Sequence, residues 1–373
     1  MSNRRNIFKA LALGTISLPF AIRALTGDLD AQKGGGAPTL ANNKVYEWKM
    51  TTTWPPNFPV LDEACKLFAQ LVEQMSGGRM KITVYGDGEL APPLKAFETV
   101  RQGGAEMGSG AGYYWAGVAP AAQFFASVPF GLNATQHTTW LMSGGGMQLW
   151  EELYAQYGLV PFVGGNTGVQ MGGWFNREIN SINDIQGLKM RIPGLGGRVF
   201  EAAGGSQVLM PGSELYTSLE RGVIDATEWL GPYHDTMMGF NEIAQYYYTP
   251  GWHEPGTALE FFANKEKFDQ LSPDLQAIFR SASYHAHLWC WTEFEKRNAE
   301  ALTGLVEKGV DLRQYPEDVI QRFRELTEEV LQDLVSEDPY SARVYQSFKA
   351  FRDRAVPYAA ITEKRFYNGL QLS

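Results

Sequence analysis

The chain has 373 residues, 44% of them hydrophobic and 20% charged, a balance that belongs to a globular protein and excludes a disordered one. A formal net charge of −9 is the wrong field for nucleic acid, whose phosphates call for a basic surface. Beyond the first 25 residues no apolar run approaches the roughly 18 residues of a membrane-spanning helix.

The N-terminus reads as an export signal. Arg4 and Arg5 precede Phe8, Lys9 and an apolar run from Ala10 to Ala24 interrupted at Pro19, in the twin-arginine manner. Thr26 to Asn43, with Gly34, Gly35, Gly36 and Pro38, reads as a tether, so residues 1–43 are expected to stand outside the folded protein. Cleavage near Ala31 would remove Arg4, Arg5, Lys9 and Arg23 but only Asp28 and Asp30 among acids, leaving a more acidic exported chain. Cys65 and Cys290 are the two cysteines, each inside a helical pattern, which excludes a disulfide framework and predicts free buried thiols.

From the tether onward strand and helix signals alternate. Val45–Thr51 predicts a first strand. Leu61, Ala64, Cys65, Phe68, Leu71, Val72 and Met75 mark one face of a helix stopped by Gly77 and Gly78, and Met80–Tyr85 predicts a second strand. The alternation predicts the α/β class with mixed sheets. Glu98 to Gly108 echoes Ser218 to Thr227: in each, a helix stops at glycine, an acidic residue follows, and a short strand comes next. Two such units suggest two lobes of similar construction with a ligand in the crevice between them.

Leu159–Val163 predicts a further strand, with Asn166 and Gln170 beyond it. Farther on, Leu188, Met190 and Ile192 alternate with Lys189, Arg191 and Pro193, so one face is core and the other turns toward a cleft. A guanidinium on that second face can take a carboxylate through two parallel charge-assisted bonds; the alternative is a surface arginine paired with a nearby acid. Pro273 to Lys308 predicts one long helix, Pro316 interrupts, and Val319–Val335 and Ala342–Ala355 predict two more. Trp289, Trp291, Phe348, Phe351 and Tyr358 remain to pack on the lobes or on a second subunit.

Signatures of catalysis are mostly missing. The chain has no Gly-Lys-Ser/Thr phosphate loop, and Gly194 to Gly197 lacks both the spacing and the strand-to-helix setting expected of a dinucleotide site. His285 and His287 are two apart and face different ways on a helix, and His253-Glu254 has no second histidine four positions on. No serine sits in a nucleophile elbow. A binding protein fits this pattern better than an enzyme.

The succession Gly165-Asn166-Thr167-Gly168, Asn176-Arg177-Glu178-Ile179, Asp184 through Arg191, and Leu219 through Glu228 resembles the solute-binding subunit of tripartite ATP-independent periplasmic (TRAP) transporters over about residues 45–310. Gln170, Trp229 and the turn Gly251-Trp252-His253-Glu254 further resemble the branch that binds 2-oxoacids or other monocarboxylates such as lactate. The helices after Lys308 are similar to that branch too, in which the terminal helix is exchanged within a dimer. The resemblance implies a two-lobe periplasmic binding protein fold with hinge-crossing strands. Lobe I would comprise 44–165 and 257–298, lobe II 166–256 and 299–310, and a helical extension 311–373. It implies that Arg191 grips the substrate carboxylate and that Gln170 contacts both substrate and metal. Glu228, the backbone of Trp229 and Glu254 would hold a cation, and Asn166, Trp229, Tyr113 and Tyr114 would line the pocket. Small and large membrane subunits, a homodimer and a periplasmic location complete the expectation.

Charge counting supports the cation if these groups share one cleft. Arg191, a monocarboxylate, Glu228 and Glu254 together leave two negative charges in excess, and two unit charges about 4 Å apart interact by about 4 kcal/mol at an effective dielectric near 20. A sodium ion halves the excess and a calcium ion removes it; protonating one glutamate is the alternative. A keto or hydroxy oxygen beside the carboxylate could complete the coordination, which favours acids such as pyruvate or lactate. An exported metal-assisted enzyme using Glu228 and Glu254, and an ABC-type binding protein, are the competing readings.

Overall fold

The structure, a computed structural model, describes residues 44–370; the expected signal with Arg4 and Arg5, and the tether, lie outside the described residues. In chain order the main elements are β1 (Tyr46–Thr52), α1 (Leu61–Met75), β2 (Met80–Tyr85), α2 (Ala96–Arg101), β3 (Met107–Gly110), α3 (Ala134–Ser143), α4 (Gly146–Ala155), β4 (Leu159–Asn166), β5 (Gly173–Phe175), β6 (Lys189–Arg191), α5 (Gly194–Ala202) and β7 (Ser206–Val208). There follow α6 (Leu215–Glu220), β8 (Ala226–Thr227), α7 (Pro232–Met237), β9 (Tyr246–Thr249), β10 (Ala258–Asn264), α8 (Pro273–Glu307), β11 (Asp311–Gln314), α9 (Glu317–Glu337), α10 (Pro339–Ile361) and α11 (Glu363–Gly369).

Among the described residues the strands form two mixed sheets, ordered β2-β1-β3-β10-β4 and β11-β9-β5-β8-β6-β7. The α/β class is as the alternation predicts, and the echo between 98–108 and 218–227 is structural. Helix α2 leads to β3, which lies between parallel β1 and antiparallel β10; helix α6 leads to β8, between parallel β6 and antiparallel β5. The chain passes from the first sheet to the second between β4 and β5 and returns between β9 and β10. These two crossings are tied together, Thr167 N donating to Thr257 O at 3.0 Å and Gln170 N to Glu254 O at 3.1 Å.

Helix α1 forms on the predicted face, burying Leu61, Ala64, Cys65, Phe68 and Val72. Helix α8 starts with proline in its first turn, where a missing N–H costs nothing, and buries Leu275, Phe279, Ala282, Ala286, Cys290 and Phe294 at helical spacing. At 35 residues it is about 50 Å long, and it packs on β4 and α1 beside the first sheet and on α7 beside the second. Cys65 and Cys290 are free and buried.

The C-terminal part differs from expectation in one respect. Residues 311–314 are not helical: β11 adds a parallel edge strand to β9, and the helices begin only at Glu317. Helix α9 packs on α5, and α10 packs on α9, α3 and α4. Phe348 is buried edge-on against Trp140 at 5.2 Å, so it leaves the apolar stripe; Trp289, Trp291 and Phe351 are half-buried, and Tyr358 stays exposed. Among the described residues no helix is long and apolar enough to cross a membrane.

Candidate functional site

Strand pairing assembles the charged part of the site. Parallel β6 and β8 place Arg191 opposite Thr227, and Glu228 N donates to Arg191 O at 3.1 Å, so the two side chains leave adjacent strand ends. The Arg191 guanidinium contacts Glu228 Oε1, donates to Met210 O at 3.3 Å and to the Tyr114 hydroxyl at 3.4 Å, and lies 5.0 Å from the Trp229 ring centre. Arg191 and Glu228 are each 1% exposed. The arginine is therefore paired with an acid, but in the interior and not at the surface.

The crossings supply the rest. Gln170 Nε2 donates to Glu254 Oε2 at 2.6 Å and to Thr167 Oγ1 at 3.3 Å. The same Glu254 oxygen accepts from the Thr257 hydroxyl and, at 3.4 Å, from the Tyr113 hydroxyl. His253 Nε2 lies 3.4 Å from Glu228 Oε2, which bridges the two halves. Among the described residues, ligand atoms of Glu228, His253 and Glu254 lie within 4.8 Å of one another.

Tyr113 and Tyr114 follow β3 of the first sheet and reach residues of the second. Glycine makes the approach possible: Gly194 has φ +58°, and a Cβ there would sit 2.8 Å from that of Tyr113, while one on Gly196 would sit 2.7 Å from that of His253. These glycines open α5 directly after β6, so the strand-to-helix setting expected to be absent at Gly194 is present. The alternation from Leu188 to Ile192 marks the strand, and it is the helix opening at Gly194 that goes unread. The spacing still differs from a dinucleotide fingerprint, and the glycines serve packing.

Burial raises Glu228 to about 7 against the pull of Arg191. Burial, and then the Glu228 charge, raise Glu254 to about 7. Burial holds His253 neutral, down to about 4.

Four buried polar atoms in this set have no hydrogen-bond partner: Asn166 Nδ2, Gln170 Oε1, Trp229 Nε1 and His253 Nδ1. A carbonyl oxygen on Gln170 beside two carboxylates is a hard-oxygen donor set, which fits sodium or calcium, and neutral His253 adds a nitrogen. Gln170, Arg191, Glu228, Trp229 and Glu254 are thus buried around one locus with Tyr113 and Tyr114, while Asn166 is buried at the end of β4, its side-chain oxygen accepting from Gly168 N at 2.9 Å. Sequence reasoning missed His253, Thr167 and Thr257. The first was judged against a zinc-protease spacing, which carries no information about a contact to Glu228.

The model of bacterial extracellular solute-binding protein family 7 matches residues 50–338. The chain is 38% identical over 365 residues to a monocarboxylate 2-oxoacid-binding periplasmic protein of Nostoc sp. strain PCC 7120, covering 98% of each chain. Two crystal structures of TRAP periplasmic solute-binding proteins superpose with TM-score 0.86 at 39% identity, covering 88% of this chain and 100% of theirs. One, from Colwellia psychrerythraea, holds calcium and pyruvate; the other, from Pseudoalteromonas atlantica T6c, holds sodium and pyruvate.

Proposed function

Because the chain belongs to bacterial extracellular solute-binding protein family 7, we propose that it is the periplasmic receptor of a TRAP-type secondary transporter. Its solute is a small monocarboxylate, a 2-oxoacid such as pyruvate or a 2-hydroxy acid such as lactate, bound with a sodium or calcium ion and passed to small and large membrane subunits. Proteins of this family are solute receptors, not enzymes, which disfavours the exported-enzyme reading. The observation that carries the proposal is the meeting of a buried guanidinium, two buried carboxylates and an unpartnered amide oxygen. In this reading Arg191 binds the solute carboxylate. Gln170, Glu228, the backbone of Trp229 and Glu254 hold the cation, and Gln170 also contacts the solute. Asn166, Trp229, Tyr113 and Tyr114 form the walls.

The two sheets serve as the cores of two lobes that close about the paired crossings. Arg4 and Arg5 direct twin-arginine export. A second copy covers the exposed Tyr358, Ile361, Phe366 and Tyr367 of α10 and α11, making a homodimer.

A thermal-shift and calorimetric screen of the mature chain tests the proposal, with 2-oxo, 2-hydroxy and plain carboxylates in sodium, calcium and chelator. Stabilisation by pyruvate or lactate that needs a cation is expected. Arg191→Lys, which keeps the charge but loses the bidentate fork, is expected to weaken binding about 100-fold with an unchanged circular dichroism spectrum. Native affinity in that variant removes Arg191 from its role, and no stabilisation by any of these acids overturns the proposal.

A further inference from the structure

Asp235 is a buried carboxylate with no part in the binding scheme above. It lies on α7, 1% exposed, and it gathers three donors. Oδ2 accepts from the Trp174 indole at 3.1 Å and from the Tyr247 hydroxyl at 2.7 Å; Oδ1 accepts from the backbone N–H of Leu230 at 3.3 Å. Trp174 on β5 and Tyr247 on β9 stack with ring centres 4.0 Å apart, so the carboxylate rests on two rigid rings anchored in adjacent strands of the second sheet.

Leu230 is the consequential partner. Its N–H is held by Asp235, and its carbonyl accepts from Met171 N at 3.3 Å. Leu230 directly follows Glu228 and Trp229, and Met171 directly follows Gln170. One backbone unit therefore ties the strand end bearing two proposed cation ligands to the crossing bearing a third, and Asp235 fixes that unit against the sheet.

We propose that Asp235 is a positioning residue of the cation site, holding Leu230 so that Gln170 and the Glu228–Trp229 pair keep the separation that the ion requires. The inference rests on the reading of those residues as cation ligands. Groups that orient the ligands of a metal typically change its affinity about 10- to 100-fold when lost. The effect is thus a loss of ion affinity out of proportion to any loss of stability.

Asp235→Asn leaves one carbonyl oxygen for two obligate donors, the Trp174 indole and the Leu230 amide, and sets its own NH2 against one of them. Adding Trp174→Phe removes the competitor and frees the oxygen for Leu230. Calcium binding by calorimetry at pH 8, alone and with pyruvate, is compared in wild type, Asp235→Asn and the double variant, with melting temperature recorded for each. The single variant is expected to bind calcium at least tenfold more weakly. The double variant is expected to return to within about threefold of wild type while melting no higher than the single. Calcium affinity within threefold of wild type in Asp235→Asn, or a double variant as weak as the single, overturns the assignment.

A wild type that takes up neither calcium nor sodium overturns the underlying cation reading instead, and with it this one. Should Asp235→Asn not fold, Tyr247→Phe decides. It withdraws a donor from the same carboxylate but leaves Leu230 held, so near-native calcium affinity at a lower melting temperature supports the assignment and a tenfold loss refutes it.

Discussion

Glu254 has the Gln170 amide, two hydroxyls and a neighbouring carboxylate around it, and burial followed by the Glu228 charge raises it to about 7. A proton and a cation therefore compete for the same oxygens. The ion binds the deprotonated form, and Glu228 is raised to about 7 as well, so its affinity is expected to level off above about pH 7 and to fall about ten- to hundredfold per unit below it as one or both carboxylates take a proton. Calorimetric titration of calcium from pH 5.5 to 8.5 checks this, and Glu254→Gln is expected to bind weakly with the pH dependence reduced. Arg191, Gln170, Glu228 and Glu254 were legible in the sequence because they sit in short runs whose order resembles a known family. His253 was not, since its contact to Glu228 comes from two strand ends meeting in space and leaves no spacing to read.

On β10, in the interior of the first sheet, Glu260 is wholly buried and accepts from Trp115 Nε1 and, at 2.7 Å, from the Tyr154 hydroxyl of α4. Burial raises it from 4.5 to about 7 in spite of both donors. The folded chain thus binds a proton that the unfolded chain gives up near 4.5. The resulting stability is fully present below that value and is lost as pH rises through about 7, on the order of 3 kcal/mol at 1.36 per unit. Chelated wild type is expected to melt at lower temperature at pH 8 than at pH 5. Glu260→Gln should flatten part of that slope, Glu228, Glu254 and Asp235 supplying the remainder with the same sign. Long elements such as α1 and α8 could be read from their apolar spacing because several turns repeat it. The strands β5, β7 and β11, of three to four residues each, are defined by their neighbours' hydrogen bonds and hold too few side chains to establish a period.

Across the molecule the two sheets also meet away from the charged site. Ser213, between β7 and α6, donates to Asp87 Oδ2 at 2.9 Å, and Asp87 lies in the loop after β2. On the hinge reading this bond forms only in the closed arrangement. Ser213→Ala is expected to weaken solute binding about two- to tenfold, the net worth of one hydrogen bond, with the melting temperature of the solute-free chain unchanged. The exposed stripe on α10 and α11 sets a second expectation. Tyr358→Ser combined with Phe366→Ser and Tyr367→Ser should shift the mass by light scattering from dimer to monomer, and an unchanged mass would place the interface elsewhere. Both the doubled architecture and the helical C-terminal region were readable from the echo and from the long patterns. That α9 and α10 dock on opposite parts of the fold was not, because periodicity states which face is apolar and not what covers it.

Tyr113 and Tyr114 belong to the segment after β3, whereas every ionised group at the site comes from the second sheet or the crossings. On the reading proposed above, the first sheet's share of the pocket is aromatic and uncharged, while the second sheet and the crossings carry the groups that neutralise the solute and its ion. Either ring can then be exchanged without disturbing the charge balance of the site.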